Sequence, residues 1–173
     1  MFSCLPWLRF ACQFGADFLP TETQTVIVPT EFQVAASDWL RFTNQPGFQL
    51  GNSASLRIAG HVEVVRTAAA GGDESALGAS GSAGQGLVSI EVGGRLEVTN
   101  TVTGAAAFGI LSSPSGGPSI INRGAIVVTA DGQASGVGNG TAGDGLVNEG
   151  YLSVTSSRSD ATGVRFDGFN QRV

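Results

Sequence analysis

Four stretches of the chain alternate apolar and polar residues in the same register after a glycine. They are Gly60-His-Val-Glu-Val-Val, Gly94-Arg-Leu-Glu-Val-Thr, Gly124-Ala-Ile-Val-Val-Thr and Gly150-Tyr-Leu-Ser-Val-Thr. The second and fourth positions after each glycine are always aliphatic: Val62/Val64, Leu96/Val98, Ile126/Val128 and Leu152/Val154. The first, third and fifth are mostly polar or β-branched: His61/Glu63/Val65, Arg95/Glu97/Thr99, Ala125/Val127/Thr129 and Tyr151/Ser153/Thr155. A period of two predicts a strand with one dry face and one wet face. The recurrence of the whole pattern, at spacings of 34, 30 and 26 residues, predicts that equivalent strands stack in parallel. A parallel sheet covered by helices on both faces reads as an unbroken apolar run. Alternation survives here, which predicts a coil closing on itself: an all-β solenoid of about four clear coils plus a degenerate N-terminal coil. The eight aliphatic positions are expected to point inward, and Thr99, Thr129 and Thr155 outward.

A second block follows each strand: Ala76-Leu-Gly78-Ala, Ala107-Phe-Gly109-Ile, Ala134-Ser-Gly136-Val and Ala161-Thr-Gly163-Val. Length varies in Ala68–Ser75, Ser112–Pro118 and Gly138–Asp144, as expected of loops leaving a constant core. The anchor glycines are expected at corners, where positive φ costs glycine little. Phe42-Thr-Asn44-Gln-Pro-Gly47-Phe48-Gln-Leu50 reads as an earlier, degenerate copy anchored on Gly47. Asn122 and Asn148 stand two residues before their anchors, where earlier copies carry Ile58 and Val92. Two readings fit them: a stacked ladder of side-chain amides, or polar turn residues that happen to align.

The pattern Asn-x-Gly-x-Ile-x-Val-Thr, followed about ten residues on by Ala-x-Gly-Val, resembles the β-helical passenger regions of bacterial autotransporters (type V secretion) and related secreted adhesins. The resemblance runs from about Thr25 to the C-terminus and is clearest over Ser89–Phe166. It implies a right-handed parallel β-helix displayed on, or released from, the outer membrane of a Gram-negative cell. In the family such a segment is a non-catalytic stalk, its targets being host, matrix or glycan surfaces. An export signal and a C-terminal translocator barrel with its alternating membrane strands belong to the family plan. The sequence carries neither, so it reads as a piece of a longer protein whose parent has further coils and a barrel.

Composition narrows the function. Only Gly15 and Gly47 of the 26 glycines fall in the first fifty residues, together with seven of ten phenylalanines, both tryptophans and both cysteines. The chain therefore divides into an irregular or short helical segment over 1–20, a degenerate first coil or coils over 21–58, and the repetitive solenoid over 59–173. Phe10, Phe14 and Phe18 recur every fourth residue. That predicts either a short helix with an aromatic face plugging the end of the β structure, or a loosely ordered or wrongly assigned start of the gene product. Nine arginines, no lysine and a net charge of −5 offer no basic face for nucleic acid and no P-loop lysine. No apolar run is long enough to insert in a membrane.

The chemistry-bearing residues have plain readings. Gly138-Asn-Gly140-Thr-Ala-Gly143 matches the dinucleotide fingerprint in letters, but turn and strand residues follow it, so a loop is expected. His61, the single histidine, falls on a wet strand face with no triad around it and reads as a surface residue. Cys4 and Cys12 have no second pair for zinc, and either form a disulfide or stay as two thiols. Glu63 and Glu97 share a column and could mark a cation or sugar site, or splay apart on a wet face with Arg57 and Arg95 nearby. Asp131-Gly132, Asp144-Gly145 and Asp167-Gly168 read as turns in place of calcium loops. The threonine column is too sparse for an ice-binding array. No residue is assigned to catalysis, to a cofactor or to a metal. The alternative to a stalk is part of a carbohydrate-active β-helix, such as a polysaccharide lyase or a phage tailspike.

Overall fold

The computed structural model describes residues 21–51, 53–67, 74–79, 86–111, 118–138 and 145–165. Among them the fold is all-β, without a helix. Strands come in threes. The first triplet is β1 (Thr21–Glu22), β2 (Val26–Val28) and β3 (Glu31–Val34); the second is β4 (Trp39–Thr43), β5 (Phe48–Leu50) and β6 (Ser55–Ile58). The third is β7 (His61–Arg66), β8 (Glu74–Ala79) and β9 (Leu87–Ile90), and the fourth β10 (Arg95–Asn100), β11 (Ala107–Leu111) and β12 (Ser119–Asn122). The fifth is β13 (Ala125–Ala130), β14 (Ala134–Gly138) and β15 (Leu146–Asn148), and β16 (Tyr151–Ser156) and β17 (Ala161–Arg165) follow. Every strand pairs with the strand three places on, so three sheets result: β1-β4-β7-β10-β13-β16, β2-β5-β8-β11-β14-β17 and β3-β6-β9-β12-β15. All these pairings are parallel. This topology is compatible with a β-solenoid.

The inward columns of the first sheet lie in the expected register: Val62 pairs with Leu96, Leu96 with Ile126, and Ile126 with Leu152. Val62, Val64, Leu96, Val98, Ile126 and Val128 are at most 1% exposed. Leu152 and Val154 are half-buried against the same core, and Thr129 and Thr155 are exposed. The N-terminal phenylalanines have a structural role here. Phe42 and Phe48 are fully buried and pack edge to face at 5.3 Å, with Phe32 against Phe48 at 5.6 Å. Further along, Gly109 and Gly136 leave room instead: a Cβ at Gly109 would crowd Ile126 and Val128, and one at Gly136 would crowd Leu152 and Val154.

The structure corrects several alignments. The second triplet is anchored by Asp38, not Gly47: Trp39 pairs with His61 and Phe42 with Val64, while Phe48–Leu50 belongs to the second sheet. Asp38 does an anchor's work through its own groups, its carboxylate accepting from Ala35 N–H at 2.9 Å and its carbonyl from His61 N–H at 2.9 Å. In the second sheet Ala107 faces Glu74, not Ala76, so the first copy of the second block is displaced by two residues. The residue beneath Asn122 is Ile90, not Val92. The turn between β9 and β10 is two residues longer than its successor, with Gly93 at φ 84° and Val92 80% exposed. Of the variable loops, residues 68–73, 112–117 and 139–144 lie outside the described residues, and Glu74 and Ser75 already belong to β8.

The anchor glycines are there for another reason than the expected positive φ, which none of them has. Among the described glycines only Gly93 and Gly104 have it. A Cβ at Gly60 would strike the carbonyl of Ala35, at Gly94 that of Ile58, at Gly124 that of Gly94, and at Gly150 that of Gly124. Successive corners stack backbone on backbone, which only glycine permits.

Two measurements check this packing. Ile126→Ala removes a side chain 1% exposed and is expected to lower unfolding free energy by about 2–5 kcal/mol, whereas exposed Thr129→Ala should change it by under about 0.5 kcal/mol. Gly124→Ala should cost about 1–3 kcal/mol through backbone overlap, while Gly145→Ala, with open space around it, should be neutral or stabilising by up to about 1 kcal/mol. Urea unfolding of the four variants reads both contrasts.

Candidate functional site

Among the described residues, the outward face of the first sheet brings charged and aromatic side chains together. Its strands place three columns side by side. One runs Trp39, His61, Arg95, Ala125, Tyr151; the next Glu22, Arg41, Glu63, Glu97, Val127, Ser153; the third Thr43, Val65, Thr99, Thr129, Thr155. At roughly 4.8 Å per strand, Trp39 to Tyr151 spans about 19 Å. The alternation that dries the inner face makes this outer array, because residues two apart must share a side.

Glu63 and Glu97 are direct partners across β7 and β10. Like charges at that spacing repel, and the neighbouring groups offset them. Arg41 Nε lies 3.6 Å from Glu22 and 3.7 Å from Glu63, and Arg95 Nε donates to Glu97 at 2.8 Å. His61 Nε2 stands 3.5 Å from Glu97, and the imidazole stacks on the Trp39 indole at 5.1 Å with an interplanar angle of 14°. Arg57, expected near this pair, instead meets Glu91 at 2.9 Å on the third sheet. Four buried polar atoms on this face make no hydrogen bond among the described residues: Trp39 Nε1, Arg41 Nε, His61 Nε2 and Glu63 Oε2. Glu22, Glu63 and Glu97 each have a guanidinium nitrogen within 4 Å. A glycosidase needs two carboxyl groups flanking a bound sugar, one of them free to donate a proton. Pairs this exposed add only about 0–1 kcal/mol each to stability.

The other sequence candidates take structural places. Asn122 is fully buried and its Nδ2 donates to Asn148 Oδ1 at 2.7 Å and to the Tyr151 carbonyl at 3.1 Å, so the amide ladder is the arrangement found. Asp131 joins three successive turns: it accepts from Gly104 N–H at 2.7 Å, Ser157 Oγ at 2.8 Å and Arg158 Nε at 3.0 Å. Its carboxylate is thereby used within the protein. After Gly138 the chain next enters a strand, β15, and not the helix whose N-terminus a dinucleotide needs; residues 139–144 lie outside the described residues. Cys4, Cys12, Asp144, Asp167 and Gly168 lie outside them as well. Among the described residues no three His, Cys, Asp or Glu side chains are grouped to hold a metal ion.

Sequence reasoning missed Trp39 and Arg41. The signal was present in the alternation Leu40-x-Phe42, but the expected glycine before it is an aspartate, and the register went to Gly47 instead. No family model, curated protein or solved structure matches the chain.

The hydrogen bond from Gly104 N–H, then that from Ser157, hold the Asp131 carboxyl below its ordinary value of 3.8; desolvation opposes them, and Arg158 adds a further lowering. A carboxyl depressed in the fold stabilises it fully above the unfolded value, and that contribution is lost as pH falls through the folded value. Melting temperature should therefore drop more steeply below about pH 4 in the native chain than in Asp131→Asn, which already lacks the contribution at neutral pH. Protection of the Gly104 amide, its exchange rate relative to the intrinsic rate at each pH, should fall over the same range.

Proposed function

We propose that each triplet is one coil of a right-handed parallel β-helix, and that the chain is a non-catalytic stalk of a surface-displayed or secreted, adhesin-like bacterial passenger protein. The observation carrying this reading is the unbroken parallel pairing of each strand with the strand three places on, dry inside and chemically varied outside. Right-handed crossovers are favoured because a right-twisted strand returns to its sheet that way. Uniform inner columns beneath changing outer ones are how a rigid scaffold carries recognition.

In this reading the first-sheet wall from Trp39 to Tyr151 meets a host, matrix or glycan surface, through many weak contacts spread along the axis. Further coils and a translocator barrel complete the parent, which stands on the outer surface of a Gram-negative cell or is released from it. With a net charge of −5 the chain as a whole offers nucleic acid no basic surface.

Antibody against the chain should label intact cells expressing the parent gene, and surface proteolysis should abolish the label; label appearing only after permeabilisation would overturn the reading. Incubation with acidic polysaccharides should leave them intact. New reducing ends or unsaturated products, lost on Glu63→Gln or Glu97→Gln, would establish the carbohydrate-active alternative in its place.

A further inference from the structure

The three sheets begin at β1, β2 and β3, the head, and end at β15, β16 and β17, the tail. At the tail Leu152, Val154 and Val164 are half-buried, whereas their partners in the preceding strands, Ile126, Val128 and Val137, are at most 1% exposed. Among the described residues the backbone there has no further partner strand either. Tyr151 N–H donates to the Gly124 carbonyl and Ser157 N–H to that of Ala130. In a parallel strand a residue's N–H and C=O point to one side and its neighbours' to the other, so Leu152 and Val154 direct both groups away from β13. At the head, Val26 N–H donates to the Gly47 carbonyl and the Val28 carbonyl accepts from Gly51 N–H. Ile27 therefore turns its own N–H and C=O away from β5, and its side chain is 69% exposed. Among the described residues no strand pairs with either edge.

We propose that the tail of one copy docks on the head of a second copy, the parallel ladders continuing across the junction. Polarity selects this occupant. A strand added to β16 or β17 in parallel must run the same way and present its free groups backwards, and β1 and β2 of another copy do both. Continuing the observed register stacks Val26 on Val164, two half-buried valines covering each other, and Thr21 on Leu152. The contact joins unlike surfaces, so association does not close at a dimer. The docking concerns the sheet edges of this chain by itself; the further coils of the stalk reading would occupy the tail edge in place of a second copy.

Three proteins test it by analytical ultracentrifugation over a concentration series: the native chain, a head variant Ile27→Pro, and a tail variant Val154→Pro/Val164→Lys. Neither proline removes a ladder hydrogen bond, since both N–H groups face outward from the sheet. The native chain should grow past dimer as concentration rises, and each variant alone should stay monomeric. An equimolar mixture should form dimers and nothing larger, because each variant keeps the end the other lacks. A native chain monomeric at the highest concentration would overturn the proposal, as would a mixture that stays monomeric. So would association of the head variant alone, which would mean tail-to-tail contact. Circular dichroism and melting confirm that the variants fold, and Ile27→Lys with Val154→Lys supply a second pair if a proline variant does not.

Discussion

The parallel ladder between successive triplets keeps its register through the inward aliphatic columns, and a slip of one residue would turn each such column to water. Sliding β13 by one place against β10 would bury Val127 and Thr129 where Ile126 and Val128 now sit. The backbone ladder alone is indifferent to such a slip, because it pairs any residue with any other. What discriminates is the interior, where first-sheet side chains fill the space left by Gly109 and Gly136. Register also fixes the corners, since the stacked anchor glycines meet carbonyls only when the strands on either side are aligned. The outer array of charges and aromatic rings is then a by-product of the inner one, placed by the same period of two.

Much of this was legible because the four glycine-anchored strands keep both their period and their spacing to the anchor. The inward columns from Val62 to Val154 and the partnership of Glu63 with Glu97 follow from alignment alone. The second triplet was harder, since Asp38 takes the anchor's place by accepting hydrogen bonds that elsewhere reach a glycine corner. A glycine search finds Gly47, which opens a strand of a different sheet. Turn length hid Ile90 behind Val92 in the same way: two additional residues bulge outward at Gly93 and leave the strand register untouched. Composition gave the excess of N-terminal phenylalanine but not its use. Its use is volume, because Phe42 and Phe48 fill the interior in a part of the chain without the glycines found later.

The polar wall illustrates how stacking changes what a residue type means. A lone Glu63 on a wet strand would be unremarkable; set directly against Glu97, it is tolerable through Arg41 on one side and Arg95 on the other. Each cation thus has a neighbour's charge to answer, and the wall reads as an ordered sequence of charges along the stack axis. An extended partner lying along that axis would meet the charges in a fixed order.

Contacts in this architecture reach only from one triplet to the next, and that has a kinetic consequence. Among the described residues β2 pairs only with β5 and β17 only with β14, so there the stack has no single keystone whose loss releases the whole. Opening starts where coverage is least, at the half-buried Leu152 and Val154, and passes inward one layer at a time. The fifth layer, sealed by β16 and β17, inherits the role of the end once they leave. Such a molecule frays and rewinds like a rope, and its lifetime against proteases is set by how many layers separate a given bond from the nearest end.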